Sequence, residues 1–392
     1  MTMRHARLAL PLRAPARVLA CGAFLKSRAC LLEDRLVLRS AIHGDLGSPG
    51  PCIALERSVD RLCELASGPI DAIAHDLHPD FHSTAVAQAL AARLGVPAIG
   101  VQHHHAHVAA VIAEQGLADP VIGIALDGVG LGSDGTAWGG EVLHVGGGHC
   151  ADRWARVGHL ETIALPGGDV AAREPWRVAA AVLHAAGRCG EIEPRFSSLV
   201  GALAARTVAT MLDRRLNCPS TTSAGRWFDA AAGALGLSVR QGQEAEAAVL
   251  LEHRAADWLK AHRGDEPEVD AAELRQVVAD LFDVDRCDPA AVGRGAATFH
   301  LALAAVLARI VVAAAGAAQV RHVVFGGGCF MNRVLSEQLT RRLRRAGLVV
   351  HAPRAIGCGD AGLALGQAWV AACQVAAGAA PARASVPLEM EV

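Results

Sequence analysis

Two apolar strands, one in each half of this chain, run straight into glycine-rich loops, and that repeated device constrains the fold more than any other feature. Val121 to Leu126 leads into Asp127-Gly128-Val129-Gly130-Leu131-Gly132-Ser133-Asp134-Gly135-Thr136, with Ala137 to Val145 as its hairpin partner. His322 to Phe325 leads into Gly326-Gly327-Gly328-Cys329-Phe330-Met331-Asn332 and then a helix to Arg345. Such loops let backbone N–H groups close around an anion, and a helix opening behind one adds its positive N-terminus. The competing readings are a long hairpin with aspartates as turn residues, and a plain strand-to-helix turn.

The same alternation fills both ends of the sequence. Val18 to Phe24, Ala29 to Leu32, Leu36 to Ser40, Ile70 to His75 and Val96 to Val101 read as strands, and Thr84 to Leu94 as a helix. From about 169 to 263 the pattern is helical and alanine-rich. Residues 264–289 are the most polar, with Asp-Glu-Pro and Cys-Asp-Pro breaks, and Thr298 to Gly316 is a long apolar helix. A strand at Leu348 to Ala352, a Gly357-to-Asp360 loop and a helix from Ala361 to Ala372 follow, with a frayed tail from Gly378. The fold class is α/β, with two lobes (17–165 and 291–378) flanking a helical middle (166–290) and a cleft between them suited to a nucleotide.

Composition narrows the function. Of 392 residues 52% are apolar, much of this alanine, and no charge-free run has the length and character of a membrane span. The Arg-rich N-terminus lacks an apolar secretion segment, so a cytoplasmic protein without membrane attachment is expected. A net charge of −2 argues against a nucleic-acid partner, and Arg341, Arg342, Arg344 and Arg345 read as a solvated helix face. The 11 cysteines include no Cys-x-x-Cys pair, which excludes zinc ribbons and redox dithiols. Cys329 and Cys358 read as small residues filling tight loops rather than as catalytic thiols.

Against this frame the run His103-His104-His105-Ala106-His107 stands out. If a helix begins near His103, His103 and His107 share one face and reach a single metal ion, while His104 and His105 point elsewhere. Asp127, at a strand end, is a second kind of ligand. Asp360 is either a further carboxylate ligand or a helix N-cap. Asp229, near a helix start in Ser223-Ala224-Gly225-Arg226-Trp227-Phe228-Asp229, is a candidate for ribose hydroxyls or a surface carboxylate. Arg173 and Glu174 form either a bidentate clamp for a small planar substrate or a local ion pair. In His75-Asp76-Leu77-His78-Pro79-Asp80-Phe81-His82, His78 or His82 could face the cleft, although a polar loop accounts for most of it.

Taken in order, these segments resemble the C-terminal transferase region of the NiFe-hydrogenase maturation carbamoyltransferases of the HypF family. The resemblance rests on His-Asp-Leu-His-Pro-Asp-Phe-His, Gln-His-His-His-Ala-His, the Asp127 loop through Trp138-Gly139-Gly140-Glu141, Leu-Pro-Gly-Gly-Asp and Arg-Glu-Pro-Trp-Arg. It extends through Thr-Ser-Ala-Gly-Arg-Trp-Phe-Asp, Gln-Gly-Gln-Glu-Ala-Glu, Gly-Gly-Gly-Cys-Phe-Met-Asn-Arg and Gly-Asp-Ala-Gly-Leu-Ala-Leu-Gly-Gln, from about Val18 to Ala372. It implies a two-lobed actin-like (ASKHA) fold. It also implies one divalent metal, Fe or Zn, on His103, His107, Asp127 and Asp360. ATP or carbamoyl adenylate would have its phosphates around Gly132, Ser133, Asp134, Gly135 and Thr136 and around Gly327, Gly328 and Asn332, and its ribose near Gly225, Asp229 and Gly242. His104, Arg173 and Glu174 complete the expected catalytic set.

The implied activity is carbamoyl transfer from carbamoyl phosphate or its adenylate to the C-terminal cysteine of HypE, for cyanide-ligand synthesis. The acylphosphatase, zinc-motif and YrdC-like modules that precede this region in full-length family members are missing, which points to a separate carbamate-activating protein or direct use of carbamoyl phosphate. Carbamoyl phosphate hydrolysis and a non-catalytic maturation scaffold are the competing expectations.

Overall fold

A computed structural model describes residues 6–264, 267, 269 and 273–378. The expected tail beyond Gly378 and part of the polar 264–289 stretch lie outside the described residues. Six strands build the first sheet: β1 (Ala6–Ala9), β2 (Val18–Ala20), β3 (Cys30–Glu33), β4 (Leu36–Arg39), β5 (Ala72–Asp76) and β6 (Ala98–Val101), in the order β1-β4-β3-β2-β5-β6. Strands β2 to β4 form an antiparallel meander, and β5 and β6 add to β2 in parallel. Helices α1 (Pro49–Leu65), α2 (His82–Leu94) and α3 (His103–Gln115) punctuate it.

The second sheet repeats that plan. β7 (Val121–Leu131), β8 (Ala137–Val145) and β9 (Trp154–His159) form the meander, and β12 (His322–Gly326) and β13 (Val349–His351) add in parallel to β7, with Val121 opposite His322. Two short strands, β10 (Ile163–Ala164) and β11 (Ser220–Thr221), extend the other edge beside β8. β7 and β8, expected in the first lobe, therefore belong to the second sheet. The helical middle is an insertion between β9 and β12: α4 (Asp169–Arg173), α5 (Pro175–Ala185), α6 (Ile192–Val200), α7 (Ala202–Arg214), α8 (Ala224–Ala234), α9 (Glu246–Ala261), α10 (Leu274–Asp280) and α11 (Pro289–Ala318). After β12 come α12 (Arg333–Arg345) and α13 (Leu363–Ala376). This is the two-lobed actin-like α/β architecture implied by the resemblance.

α3 and α13 lie back to back between the sheets. One apolar core joins Val108 and Ile112 of α3 and Leu365 and Trp369 of α13 to Ala20 and Ala74 of the first sheet and Val121 and Val324 of the second. Residues His103 to Ala113 are all buried, as expected of a helix with neighbours on every side. The crossing is close because α13 offers Gly366 at the contact; a Cβ there would stand 1.8 Å from the Ala106 carbonyl oxygen.

α11 starts nine residues before the expected Thr298, since Asp288 caps it by accepting from the Ala290 N–H and Pro289 fills its first turn. The Asp-Pro that reads as a break is a helix start. Among the described residues, α11 alone is long and apolar enough to cross a membrane by length and composition, and more than half of its most apolar window is buried in the protein.

A buried carboxylate ties the second sheet to the insertion. Glu141, fully buried on β8, accepts from the Gly139 and Gly140 N–H groups, from Arg156 Nε at 2.6 Å and from the Thr222 hydroxyl. The Arg156 guanidinium lies 4.0 Å above the Trp138 ring. Removing one partner strands the other charge, so Glu141→Ala is expected to cost about 3–5 kcal/mol in denaturant unfolding. A loss below about 1 kcal/mol, typical of an exposed pair, would show that the network is not structural.

Candidate metal and nucleotide site

The Gln102 side chain, accepting from the His105 N–H at 2.8 Å, starts α3 at His103. His103 and His107 therefore fall one turn apart on the face turned to the cleft. Asp127 sits where β7 is about to leave register with β8. Asp360 opens the 3-10 turn (Asp360–Gly362) that leads into α13. Ligand atoms of these four residues all lie within 4.8 Å of one another. His107 Nε2 is 3.1 Å from Asp127 Oδ2 and 3.5 Å from Asp360 Oδ1, and His103 Nε2 is 3.7 Å from Asp360 Oδ1.

The chemistry of this group fits a divalent ion. His107 Nε2 and Asp127 Oδ2 are both buried and neither has a hydrogen-bond partner, a costly state for a nitrogen and an oxygen this close. Two imidazoles and two carboxylates suit a first-row ion such as Fe or Zn. Burial opposes a proton on His107, but the Asp127 and Asp360 carboxylates outweigh it and push the imidazole up to about 10. A proton thus occupies the place where a cation is better suited. His103 is also raised: burial works against the charge, and Asp76 and Asp360 prevail.

Asp76, which the reading of the sequence did not place at the site, ends β5 and reaches His103 Nδ1 at 2.8 Å with Oδ2. Its other oxygen accepts from the His78 N–H at 3.0 Å. The contact leaves His103 Nε2 to face the cluster, the usual arrangement behind a metal-binding histidine. The available signal was positional, since Asp76 stands at the carboxyl end of β5. Asp76→Asn, which keeps the shape, is expected to weaken zinc binding roughly 10- to 100-fold in a chelator competition. Unchanged affinity would remove Asp76 from the site. Of its neighbours, His78 stacks on Phe81 and His82 bonds to Glu56 of α1 at 2.9 Å, so neither joins the cluster.

The loops have separate jobs. Gly328 donates its N–H to Asp127 Oδ1 at 2.5 Å, which fixes the carboxylate. Gly327 has a φ of 96°, and a Cβ on it would stand 2.7 Å from Asp127 Oδ2. Asn332 caps α12 through the Leu335 N–H and faces His300 Nε2 at 3.0 Å, so its side chain is engaged within the protein. In the first loop Asp134 accepts from the Thr136 N–H, the Thr136 hydroxyl and Trp138 Nε1, and Gly132 donates to the Thr136 carbonyl. That tip, with Ser133 and Gly135, is a self-bonded turn.

His104 is fully buried, with Gln102 Nε2 3.0 Å from its Nδ1 and no partner on Nε2; burial holds it well below the usual imidazole range. His105 packs on Trp154 and meets the Ala151 carbonyl. The clamp of Arg173 with Glu174 does not form. Glu174 instead pairs with Arg177 one turn along α5, with Arg240 and with Trp176 Nε1, and Arg173 is exposed. Adjacent residues point apart, whereas residues three apart on a helix meet.

Asp229 is buried on α8, 3.0 Å from Arg226 Nη1 and 3.3 Å from Gln241 Nε2. Burial lifts its carboxyl to about 6 despite Arg226. Gly225, in the first turn of α8, packs against Gly128 beside Asp127. Gly242 lies in the exposed turn where Glu244 crosses to Lys26 of the first lobe at 2.9 Å.

Residues 13–114 match the HypF Kae1-like domain, and residues 123–367 match the second subdomain of the carbamoyltransferase Kae1-like domain. A carbamoyltransferase HypF homolog of Cupriavidus necator is 56% identical over 374 residues, covering 93% of this chain and 94% of the relative. The chain belongs to the HypF carbamoyltransferase family. It spans about half of other members: HypF2 of the same organism is 46% identical and only 47% covered, and HypF of Rhizobium leguminosarum is 39% identical and 44% covered. Two solved HypF structures superpose over the same region. The T. kodakarensis HypF has a TM-score of 0.82 at 28% identity, over 94% of this chain and 48% of that one. Full-length HypF in a phosphate- and nucleotide-bound form has a TM-score of 0.80 at 28% identity, over 93% and 47%. The chain is thus the Kae1-like transferase region of the HypF family, with a His–Asp group able to hold a metal.

Proposed function

We propose that this chain transfers a carbamoyl group from carbamoyl phosphate or carbamoyl adenylate to the C-terminal cysteine of HypE, in cytoplasmic hydrogenase maturation. The observation that carries this reading is the buried pair of unpartnered ligand atoms, His107 Nε2 and Asp127 Oδ2, in a HypF-family transferase fold. His103, His107, Asp127 and Asp360 would hold the metal, and Asp76 would orient His103. When bound, a divalent ion supplies Lewis-acid stabilisation to phosphate or carbonyl oxygens. The Gly327–Gly328 loop would close on the nucleotide phosphates, as the phosphate- and nucleotide-bound relative encourages. A separate activating protein would supply carbamoyl adenylate if this chain does not make it.

The test combines purified chain, zinc or iron(II), ATP, carbamoyl phosphate and HypE, with mass spectrometry of the acceptor. Carbamoylated HypE is the expected product. Phosphate release at the same rate without ATP and HypE, with no modified acceptor, would replace this reading with hydrolysis. Acceptor binding with neither reaction would leave the scaffold.

A further inference from the structure

The face of the first sheet that meets α13 carries two cations with no anion between them. Cys30 of β3 stands opposite Arg39 of β4, and Arg28, two residues before Cys30, falls on the same face. The pairing reaches back to Arg28, because Ala29 donates its N–H to the Ser40 hydroxyl and accepts from the Ser40 N–H, both at 3.0 Å. The two arginines are therefore diagonal neighbours across the strand pair. Arg39 is 9% exposed and Arg28 is half-buried. Nε of each is buried without a hydrogen-bond partner. Arg39 uses Nη1 on the Ala355 carbonyl, at 3.2 Å.

The nearby carboxylates are committed elsewhere. Glu33 pairs with Arg17 at 2.9 Å and Asp34 with Arg13 at 2.7 Å, and Asp45 accepts from the Lys26 N–H at 3.0 Å. Glu114 fixes the turn that carries Ala355 by accepting from the N–H groups of Arg354, Ala355 and Ile356. Cys30, between the arginines, stays a neutral thiol, since burial pushes it up to about 12 in spite of them. His43, bonded to the Ser40 hydroxyl at 3.1 Å, is a third base, held below the usual imidazole range by burial and then by Arg28. Burial also lowers Arg28, and the Arg39 charge lowers it further.

Guanidinium N–H groups buried without an acceptor, beside a like charge, call for an anion. The arginine fork selects a group with two or more oxygens, and two facing cations favour a dianion. The half-exposure of Arg28 leaves it a way in. We propose that Arg28 and Arg39 form a binding site for a small tetrahedral oxyanion of the phosphate or sulfate class, separate from the His–Asp group. β3 and β4 lie two and three strands from β5, which ends in Asp76, so the site stands roughly 10–14 Å to the side by strand spacing. A bound dianion bridges the first sheet to the segment ahead of Asp360. The inference goes beyond carbamoyl transfer and does not depend on it.

The experiment is calorimetric titration of the full chain with inorganic phosphate and with sulfate in separate arms, with and without zinc. One saturable site is expected, with the same affinity in both metal states, and the tighter arm names the ion. Arg28→Met, which keeps the apolar stem, is expected to weaken binding roughly 10- to 100-fold, and Arg39→Lys to weaken it less by keeping the charge without the fork. Melting temperature supplies a readout of opposite sign. In buffer free of both ions Arg28→Met is expected to melt no lower than the wild type, because it relieves a like-charge contact. The wild type is expected to gain more from added phosphate than the variant does, beyond the general stabilisation such salts give any protein. If Arg28→Met does not fold, Arg28→Gln carries the same expectations. The site is overturned by absence of saturable binding in the wild type, by wild-type affinity in a folded Arg28 variant, or by binding that appears only with zinc, which would put the ion on the metal.

Discussion

Replacing His107 by alanine is expected to leave the folded chain with almost no bound metal and to cut carbamoyl transfer by at least about a hundredfold. His107 is the member of the group closest to both carboxylates, at 3.1 Å from Asp127 and 3.5 Å from Asp360. Without it, the buried Asp127 carboxylate and the half-buried Asp360 carboxylate are left with only His103 as a partner in the group. Elemental analysis after dialysis gives the first measurement and acceptor mass spectrometry the second. Undiminished transfer in a metal-free variant would end the metal's role.

The same geometry fixes the pH dependence. In the metal-free chain the carboxylates hold His107 up at about 10 against a usual 6.5. A raised folded-state pKa means that proton-linked stability is fully present below about 6.5 and disappears as pH rises through about 10. Metal binding runs the other way, because the ion must displace that proton. Metal-free protein is therefore expected to lose melting temperature from neutral to alkaline pH, and zinc affinity to rise over the same range. A zinc affinity that does not change with pH would show that His107 is not a ligand.

The parts of the site that were legible in the sequence are those encoded locally. The spacing of His103 and His107 is a helical period, and Asp127 and Asp360 each adjoin a glycine, although β7 runs on past Asp127 to Leu131. The parts that were not legible depend on distant partners. Asp76 joins the site only because β5 and β6 lie side by side, which places it beside the start of α3. The lobe boundary shifted because β7 pairs with β12, beyond the whole helical insertion. Glu174 was visible beside Arg173, but its pairing with Arg177 depends on where α5 begins.

Gly366→Ala is expected to damage the metal site without touching a ligand. The added methyl would stand 1.8 Å from the Ala106 carbonyl oxygen and 2.9 Å from the Ala110 nitrogen. Both are backbone atoms of α3, so no side chain can turn aside, and the helices must separate. Overpacking of this kind costs about 1–3 kcal/mol, and a backbone obstacle places Gly366→Ala at the upper end. α3 carries His103 and His107, whereas Asp360 enters through the turn that begins α13. Separating the helices pulls the carboxylate from the imidazoles, and a site of this kind tolerates only about 0.5 Å. Zinc affinity and melting temperature should therefore fall together. Gly316→Ala supplies the contrast, since nothing lies within 4 Å of that position on α11. It is expected to raise stability by up to about 1 kcal/mol and leave zinc binding alone. If Gly366→Ala loses stability but binds zinc as the wild type does, the helix crossing does not set the spacing of the ligands. The cluster would then be held by Asp76 and the Gly327–Gly328 loop.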